Sequence, residues 1–180
     1  MKVGERIPDA VLDRAVVGLH VAPGTLRDQL GDAPTLLVFL RHFGCMFCRE
    51  TLADLRAASQ ADARFPRVLL FFQGTLTEGR ALLRRYWPDV PAIADPALEL
   101  YDAFGVERGS WAQMLGPPVW PASVRARAKG HRNAERSGDI WRMPGMFLCR
   151  GSEVAWTHAY RSAGDAPDYA AVAAIARATR

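Results

Sequence analysis

The 180-residue chain predicts an α/β fold, a central mixed sheet flanked by helices, on three observations. Residues 35–40 (TLLVFL) and 67–72 (RVLLFF) are continuous apolar runs, the pattern of strands covered on both faces. Residues 46–58 between them place Phe47, Thr51, Leu55 and Ala58 at helical spacing, which makes a βαβ unit with a parallel pair and a right-handed crossover. Residues 146–149 and 154–160 flank Arg150, Gly151 and Ser152 and read as an antiparallel hairpin.

The remaining elements follow in order. Residues 75–87 read as a helix closed by Pro88. A short strand at 92–94 leads into Asp95 and Pro96, an N-cap with proline at the first helical position, and the helix it opens ends near Gly105. Residues 109–139 then lose any clean period. They hold Pro117, Pro118, Pro121, Trp111 and Trp120, and read as a partly helical insertion before the C-terminal hairpin, with Trp111, Trp120 and Trp141 packing beneath it. Residues 165–180 close the chain as an alanine-rich helix with Pro167 near its start. This order is that of a thioredoxin-like α/β domain spanning 1–180, because a doubly wound sheet would end in parallel strands rather than a hairpin.

Composition narrows the function. Apolar residues make up 49% and charged residues 23% of the chain, ordinary globular usage. The net charge of +4 comes from scattered arginines, Lys2 and Lys129 being the only lysines. That scatter does not make a nucleic-acid footprint. The one basic cluster, Arg125, Arg127, Lys129, His131 and Arg132, reads as a solvated face. Residues 1–12 lack a signal-peptide core, and no run approaches the ~20 apolar residues of a membrane helix. The reading is a cytoplasmic protein with no membrane or nucleic-acid partner. Three cysteines with one C-x-x-C pair point to intracellular redox or metal chemistry.

That pair is Cys45 and Cys48, placed where the strand ends and the helix begins. Helix N–H groups and the positive end of its dipole stabilise a thiolate there. Arg41, His42 and Arg49 lie close in sequence and add positive potential. Cys48, one turn on, can close a short disulfide with Cys45. Cys45 is the attacking thiol and Cys48 the resolving one, with no cofactor. Two other readings stand beside it: a metal-binding or metal-delivery module in which Cys45 and Cys48, with His42 as a further ligand, hold zinc or copper, and two small buried hydrophobes. Glu50 serves either the helix electrostatically or Cys48 as a proton carrier. Cys149, within the hairpin, reads as structural. Pro144 precedes the third long strand, where a cis proline would face the active-site helix. His158 reads as a satisfied histidine, Arg161 as an anion ligand or a partner of Asp165.

The segment Phe39-Leu40-Arg41-His42-Phe43-Gly44-Cys45-Met46-Phe47-Cys48-Arg49-Glu50 resembles the FLRHFGCxxCRE signature of the peroxiredoxin-like branch of the AhpC/TSA superfamily, which includes the selenoprotein-L-like and peroxiredoxin-like-2 groups. Val3 to Asp9 is similar to the opening of redoxins. Ala92 to Pro96 with Tyr101, Phe104, Gly105 and Val106 resembles their "vlaDp…y.afGv" segment, and Gly138, Asp139 and Pro144 to Phe147 resemble the loop and strand that follow. The resemblance implies a thioredoxin-like fold and thiol-dependent reduction of a hydroperoxide or a disulfide. It further implies an external thiol reductant, thioredoxin-like or of low molecular weight, and association as a homodimer. The chain departs from true peroxiredoxins at two places. His42 stands where they carry a threonine, and Pro144 where they carry an arginine, so Arg41 or Arg142 is left to supply positive charge.

Overall fold

The computed structural model describes residues 1–135 and 138–179. Its elements in chain order are α1 (Asp9–Leu12), β1 (Ala15–Leu19), β2 (Gly24–Thr25), α2 (Leu26–Leu30), β3 (Thr35–Phe39), α3 (Met46–Ala61), β4 (Arg67–Phe72) and α4 (Leu76–Tyr86). These are followed by β5 (Ala92–Ala94), α5 (Glu99–Ala103), α6 (Trp111–Leu115), α7 (Val119–Ala128), β6 (Gly145–Arg150), β7 (Glu153–Thr157) and α8 (Tyr169–Ala178). The strands form one mixed sheet in the order β2-β1-β5-β4-β3-β6-β7. β3, β4 and β5 run parallel, while β6 lies antiparallel to β3 and β7 antiparallel to β6.

The apolar runs become central strands because both faces of the sheet are covered. Successive side chains of β3 alternate between two cores. Leu36 and Val38 join Leu52 and Leu55 of α3, Leu82 and Leu83 of α4, and Val172 and Ala176 of α8. Leu37 and Phe39 join Leu26 and Leu30 of α2 and Leu100 and Tyr101 of α5 on the opposite face. Phe39 stacks on Phe71 at 4.3 Å between ring centroids and meets Tyr101 edge-on. The Tyr101 hydroxyl donates to the carbonyls of Leu40 at 2.6 Å and Phe71 at 2.9 Å. It thereby ties together the carboxyl ends of β3 and β4, where the chain turns toward Cys45.

Several expectations need correction. Strands β1 (AVVGL) and β2 are absent from the sequence reading; β1 joins the sheet through antiparallel pairing with β5, and β2 through pairing with β1. The helix after β5 starts at Glu99 rather than at Pro96. Asp95 caps it from a distance, its carboxylate accepting the N–H groups of Glu99, Leu100 and Tyr101 at 2.8 to 3.1 Å. The last helix begins at Tyr169, where the Asp168 side chain accepts from Ala170 and Ala171, so Pro167 lies outside it. β7 ends at Thr157, short of Tyr160.

The segment 109–139 supplies α6 and α7, and its Arg136 and Ser137 lie outside the described residues. Trp111 and Trp120 do not pack beneath it. They are 69% and 65% exposed, because α6 turns Met114 inward and α7 turns Val119, Ala122 and Ala126 inward. Pro144 is trans. The preceding backbone is held extended by the bridge between Arg108 and Arg142 and by the Met143 N–H donating to Glu107, a conformation suited to the ordinary trans bond before proline.

Candidate active site

Cys45 is the N-cap of α3, with extended backbone at φ −78° and ψ 124°, so its sulfur sits over the free N–H groups of the first turn. The turn that delivers it is closed by the Cys45 N–H donating to His42 at 3.1 Å. Gly44 is required for space. A Cβ there would lie 2.2 Å from the Glu135 carbonyl oxygen and 2.7 Å from that of Ala134. The loop of residues 133–135 packs directly on this turn, its Ala134 N–H donating to Gly44 and its Asn133 side chain accepting from the Met46 N–H. The insertion thus forms one wall of the site.

Cys45, Cys48 and Cys149 are all free thiols and all buried. Within the pair, the Cys48 thiol donates to the Cys45 sulfur, and this bond is the largest influence lowering the Cys45 pKa. Burial opposes it. The Arg41 guanidinium and the N–H groups of Cys48 and Phe47 then add to the lowering, and the Cys45 value falls to about 6. Cys48 moves the other way, well above the usual thiol value, because it holds the shared proton and is itself buried. The Arg41 N–H donates to the Cys48 sulfur at 3.3 Å. These influences favour a thiolate at Cys45 and a thiol at Cys48.

Arg41 organises the site. Its side chain is buried, with Nη1 3.2 Å from the Cys45 sulfur. Nε donates to the Arg142 carbonyl at 3.0 Å and Nη2 to that of Ile140 at 2.7 Å, while Nη2 also lies 3.7 Å from the Met114 sulfur. The anion among these partners is the Cys45 thiolate. Gln73 braces the arrangement from β4, its amide donating to the Arg41 carbonyl and its oxygen accepting the Asp139 N–H at 2.7 Å.

The other residues singled out in the sequence are placed differently. His42 lines the pocket beside Cys45. Arg49 turns away from the sulfur and donates to the carbonyls of Arg132 and Phe43. Arg142 is spent on Asp102 and the Val106 carbonyl, both at 2.8 Å. The Glu50 carboxylate is engaged by α7. Arg125 grips its carboxylate at 2.8 and 2.9 Å and Lys129 approaches to 3.1 Å. Burial would raise its pKa, but these two cations outweigh burial and hold it below the usual carboxylate range. The basic cluster is in part a clamp that fastens α7 to α3. Cys149 is buried in β6, where burial pushes its thiol up to about 12. Arg161 approaches Asp165 at 3.8 Å.

A cavity of about 330 Å³ opens over Cys45. Arg41 is among its lining residues; Phe47, Trp111, Met114, Leu115 and Trp141 give it an apolar side, and His42, Ser123 and Asn133 a polar one. Trp111 meets Trp141 edge-on at 4.7 Å. Sequence reading did not bring Trp111, Met114 and Leu115 to this wall, since they come from the aperiodic segment. Among the described residues there is no cluster of three or more His, Cys, Asp or Glu that could hold a metal ion, and the Arg41 cation against Cys45 opposes a bound cation electrostatically.

Comparison with known proteins bears on this arrangement. The family model described as AhpC/TSA antioxidant enzyme matches residues 51–162, a stretch that begins three residues after Cys48. The structure of the peroxidoxin BcpB from Mycobacterium tuberculosis superposes with a TM-score of 0.64 at 18% identity, over 100% of this chain and 99% of that one. The bacterioferritin comigratory protein of Xanthomonas campestris, whose structures concern alkyl peroxide reduction, gives 0.65 at 15% identity over 99% of each chain. A secreted disulfide oxidoreductase of Mycobacterium tuberculosis, homologous to DsbE of E. coli, gives 0.59 at 13% identity over 95% of this chain and 99% of that one. No curated protein matches the sequence. The peroxide-reducing and disulfide-exchanging relatives share the fold.

Proposed function

We propose, from the premise that the chain belongs to the AhpC/TSA antioxidant enzyme family, that it reduces organic hydroperoxides with Cys45 as the attacking thiolate and Cys48 as the resolving thiol. The Arg41 contact with the Cys45 sulfur carries this reading. Nucleophilic attack needs a thiolate, and the departing alkoxide needs a positive charge close to the sulfur. One guanidinium meets both needs, at a site where His42 and Pro144 replace the threonine and arginine of true peroxiredoxins.

The chemistry balances in three steps. The Cys45 thiolate attacks the terminal peroxide oxygen, the O–O bond breaks, and the alkoxide takes a proton to leave as alcohol. Cys45 is then a sulfenic acid. The Cys48 sulfur displaces its oxygen as water and forms the Cys45–Cys48 disulfide, and an external dithiol, or two molecules of a small thiol, reduces that disulfide back. The apolar side of the pocket favours a substrate with a bulky apolar group over hydrogen peroxide, since it offers surface to bury. The three free cysteines suit a reducing compartment such as the cytoplasm.

The test is to mix reduced protein with stoichiometric cumene hydroperoxide or hydrogen peroxide and follow free thiols and intact mass. Rapid loss of two thiols, faster with the organic peroxide, supports the reading, as does a sulfenic acid trapped at Cys45 in Cys48→Ser. Oxidation no faster than that of a free thiol, together with rapid reduction of a model disulfide, assigns the protein to disulfide exchange instead.

A further inference from the structure

The resolving step needs a base. Cys48 is buried, and burial still favours its thiol form once the Cys45 negative charge is gone, so its proton has to go somewhere before the sulfur attacks. Glu50 is the nearest carboxylate in sequence, but it is clamped by Arg125 and Lys129. Cys45 no longer carries a negative charge once it has been oxidised or joined in a mixed disulfide.

A second cavity answers the need. It is separate from the pocket over Cys45 and lies on the Cys48 side of the site. Its volume is about 10 Å³, close to the minimum for one water. Cys48, Thr51, Tyr160 and Asp165 border it, beside Arg41 and a mostly apolar remainder, so a thiol, two hydroxyl-bearing residues and a carboxylate-bearing one adjoin the space a water would fill. Asp165 is the carboxylate of this lining. Its side chain keeps about a fifth of its surface exposed, which gives a proton a way out to solvent. The loop that carries it is held by Asp165 itself, whose two oxygens accept the Arg161 and Ala166 N–H groups at 3.1 and 3.0 Å. His158 Nε2 lies 3.6 Å from this carboxylate and the largely solvated Arg161 Nε 3.8 Å from it, a looser hold than the buried clamp on Glu50.

We propose that Asp165 is the proton acceptor for Cys48, receiving the thiol proton through a single water in this cavity as the Cys45–Cys48 disulfide closes. The inference rests on the assignment of Cys48 as resolving thiol. From a mixed disulfide at Cys45, the Cys48 sulfur attacks Cys45, the Cys45–substituent bond breaks, and the substituent leaves as a thiolate. The Cys48 proton passes to the water and the water's proton to Asp165. When the leaving group is a sulfenic oxygen, it departs from Cys45 as hydroxide and takes a proton from solvent to leave as water, while Asp165 returns the Cys48 proton to solvent through its exposed edge.

The experiment uses dithiobis(nitrobenzoate), which forces the mixed disulfide whatever the natural substrate. A first release of nitrothiobenzoate reports attack by Cys45, and a second reports closure by Cys48. In Asp165→Asn the first phase should be unchanged and the second slower by on the order of a hundredfold, the lower end of a general-base contribution. In Asp165→Ala, added acetate should restore the second phase, a rescue that a purely structural role for the loop does not produce. A second phase that keeps its rate in Asp165→Asn, or one that acetate does not restore in Asp165→Ala, overturns the proposal. The unsubstituted protein provides a check that needs no variant. Its second phase should be insensitive to acetate, and a rate that climbs with acetate means that no internal base is in place. Absence of a second phase in the unsubstituted protein overturns the assignment of Cys48 itself, whereas failure with hydroperoxide alone overturns only the peroxidase reading.

Discussion

Cys45 and Cys149 are hidden from solvent to the same degree, at 2% and 1% exposure, yet their thiols are driven in opposite directions. Cys149 has its backbone in the ladder between β3 and β7, and burial alone acts on its sulfur. Cys45 sits at a helix start where a thiol, a guanidinium and two backbone N–H groups converge. Burial penalises a thiolate at both places, and only at Cys45 do directed donors overcome the penalty. Reactivity in this protein is therefore set by what points at the sulfur, and exposure is a poor guide to it.

The contrast is broken most completely by exchanging the sulfurs. Cys45→Ser should lose hydroperoxide turnover to the uncatalysed background, while Cys149→Ala should retain the parent rate; a coupled peroxide-consumption assay reads both. Removing the guanidinium should come next. Arg41→Leu should slow Cys45 oxidation by on the order of 10²–10³, the cost of losing one preorganised charge donor. Its thiolate absorbance should titrate at a higher pH than in the parent, where it falls away below about 6. An unchanged titration would mean that the helix start and Cys48 suffice without Arg41.

Stability should bend with pH in opposite senses at the two sites. For Cys45 the folded value is depressed from 9.0 to about 6, so between these limits the unfolded chain holds the proton that the folded chain has lost. Stability from this group is complete above the unfolded value and is lost as pH falls toward 6. For Cys149 the folded value is raised from 9.0 to about 12, the folded chain keeps the proton longer, and stability falls as pH rises through that range. Denaturant midpoints across pH, compared between the parent, Cys45→Ser and Cys149→Ala, should separate the two slopes.

Smaller effects sharpen the comparison. Glu50→Gln loosens the clamp holding α7 against α3 and should cost about 1–3 kcal/mol, below the full penalty for a buried pair because Arg125 and Lys129 are partly solvated. The parent should lose this contribution on acidification through the carboxylate range, since the folded Glu50 value is depressed; the variant should not. Cys149→Ala leaves only a small void between strands and should cost on the order of 1 kcal/mol in chemical denaturation.

The elements that could be read ahead of the structure are those whose signal is local. β3, β4 and α3 announce themselves through apolar runs and helical spacing, and the place of Cys45 at their junction follows from the order of residues. β1 and β2 do not, because two short strands acquire their identity from pairing with β5 and with each other. The start of α5 was displaced by three residues because Asp95 caps through its side chain from beyond the turn. The outward Trp111 and Trp120 ran against composition: Met114 of α6 with Val119, Ala122 and Ala126 of α7 took the inward positions.

At the site the division is sharper. The residues 41–50 determined by themselves that a cysteine pair would stand at a helix start with arginine nearby, since backbone geometry and the i, i+3 spacing need nothing beyond the local chain. Which charges reach which atoms was decided by tertiary structure. Arg41 turns to Cys45 because carbonyls of residues 140 and 142, about a hundred positions away, orient its other donors. Glu50 turns away because α7 brings Arg125 to it across 75 positions. Asp165 comes to the Cys48 cavity only through the loop after β7. Hydrogen bonds and ion pairs act over a few ångströms, and the fold alone determines which distant residues come that close.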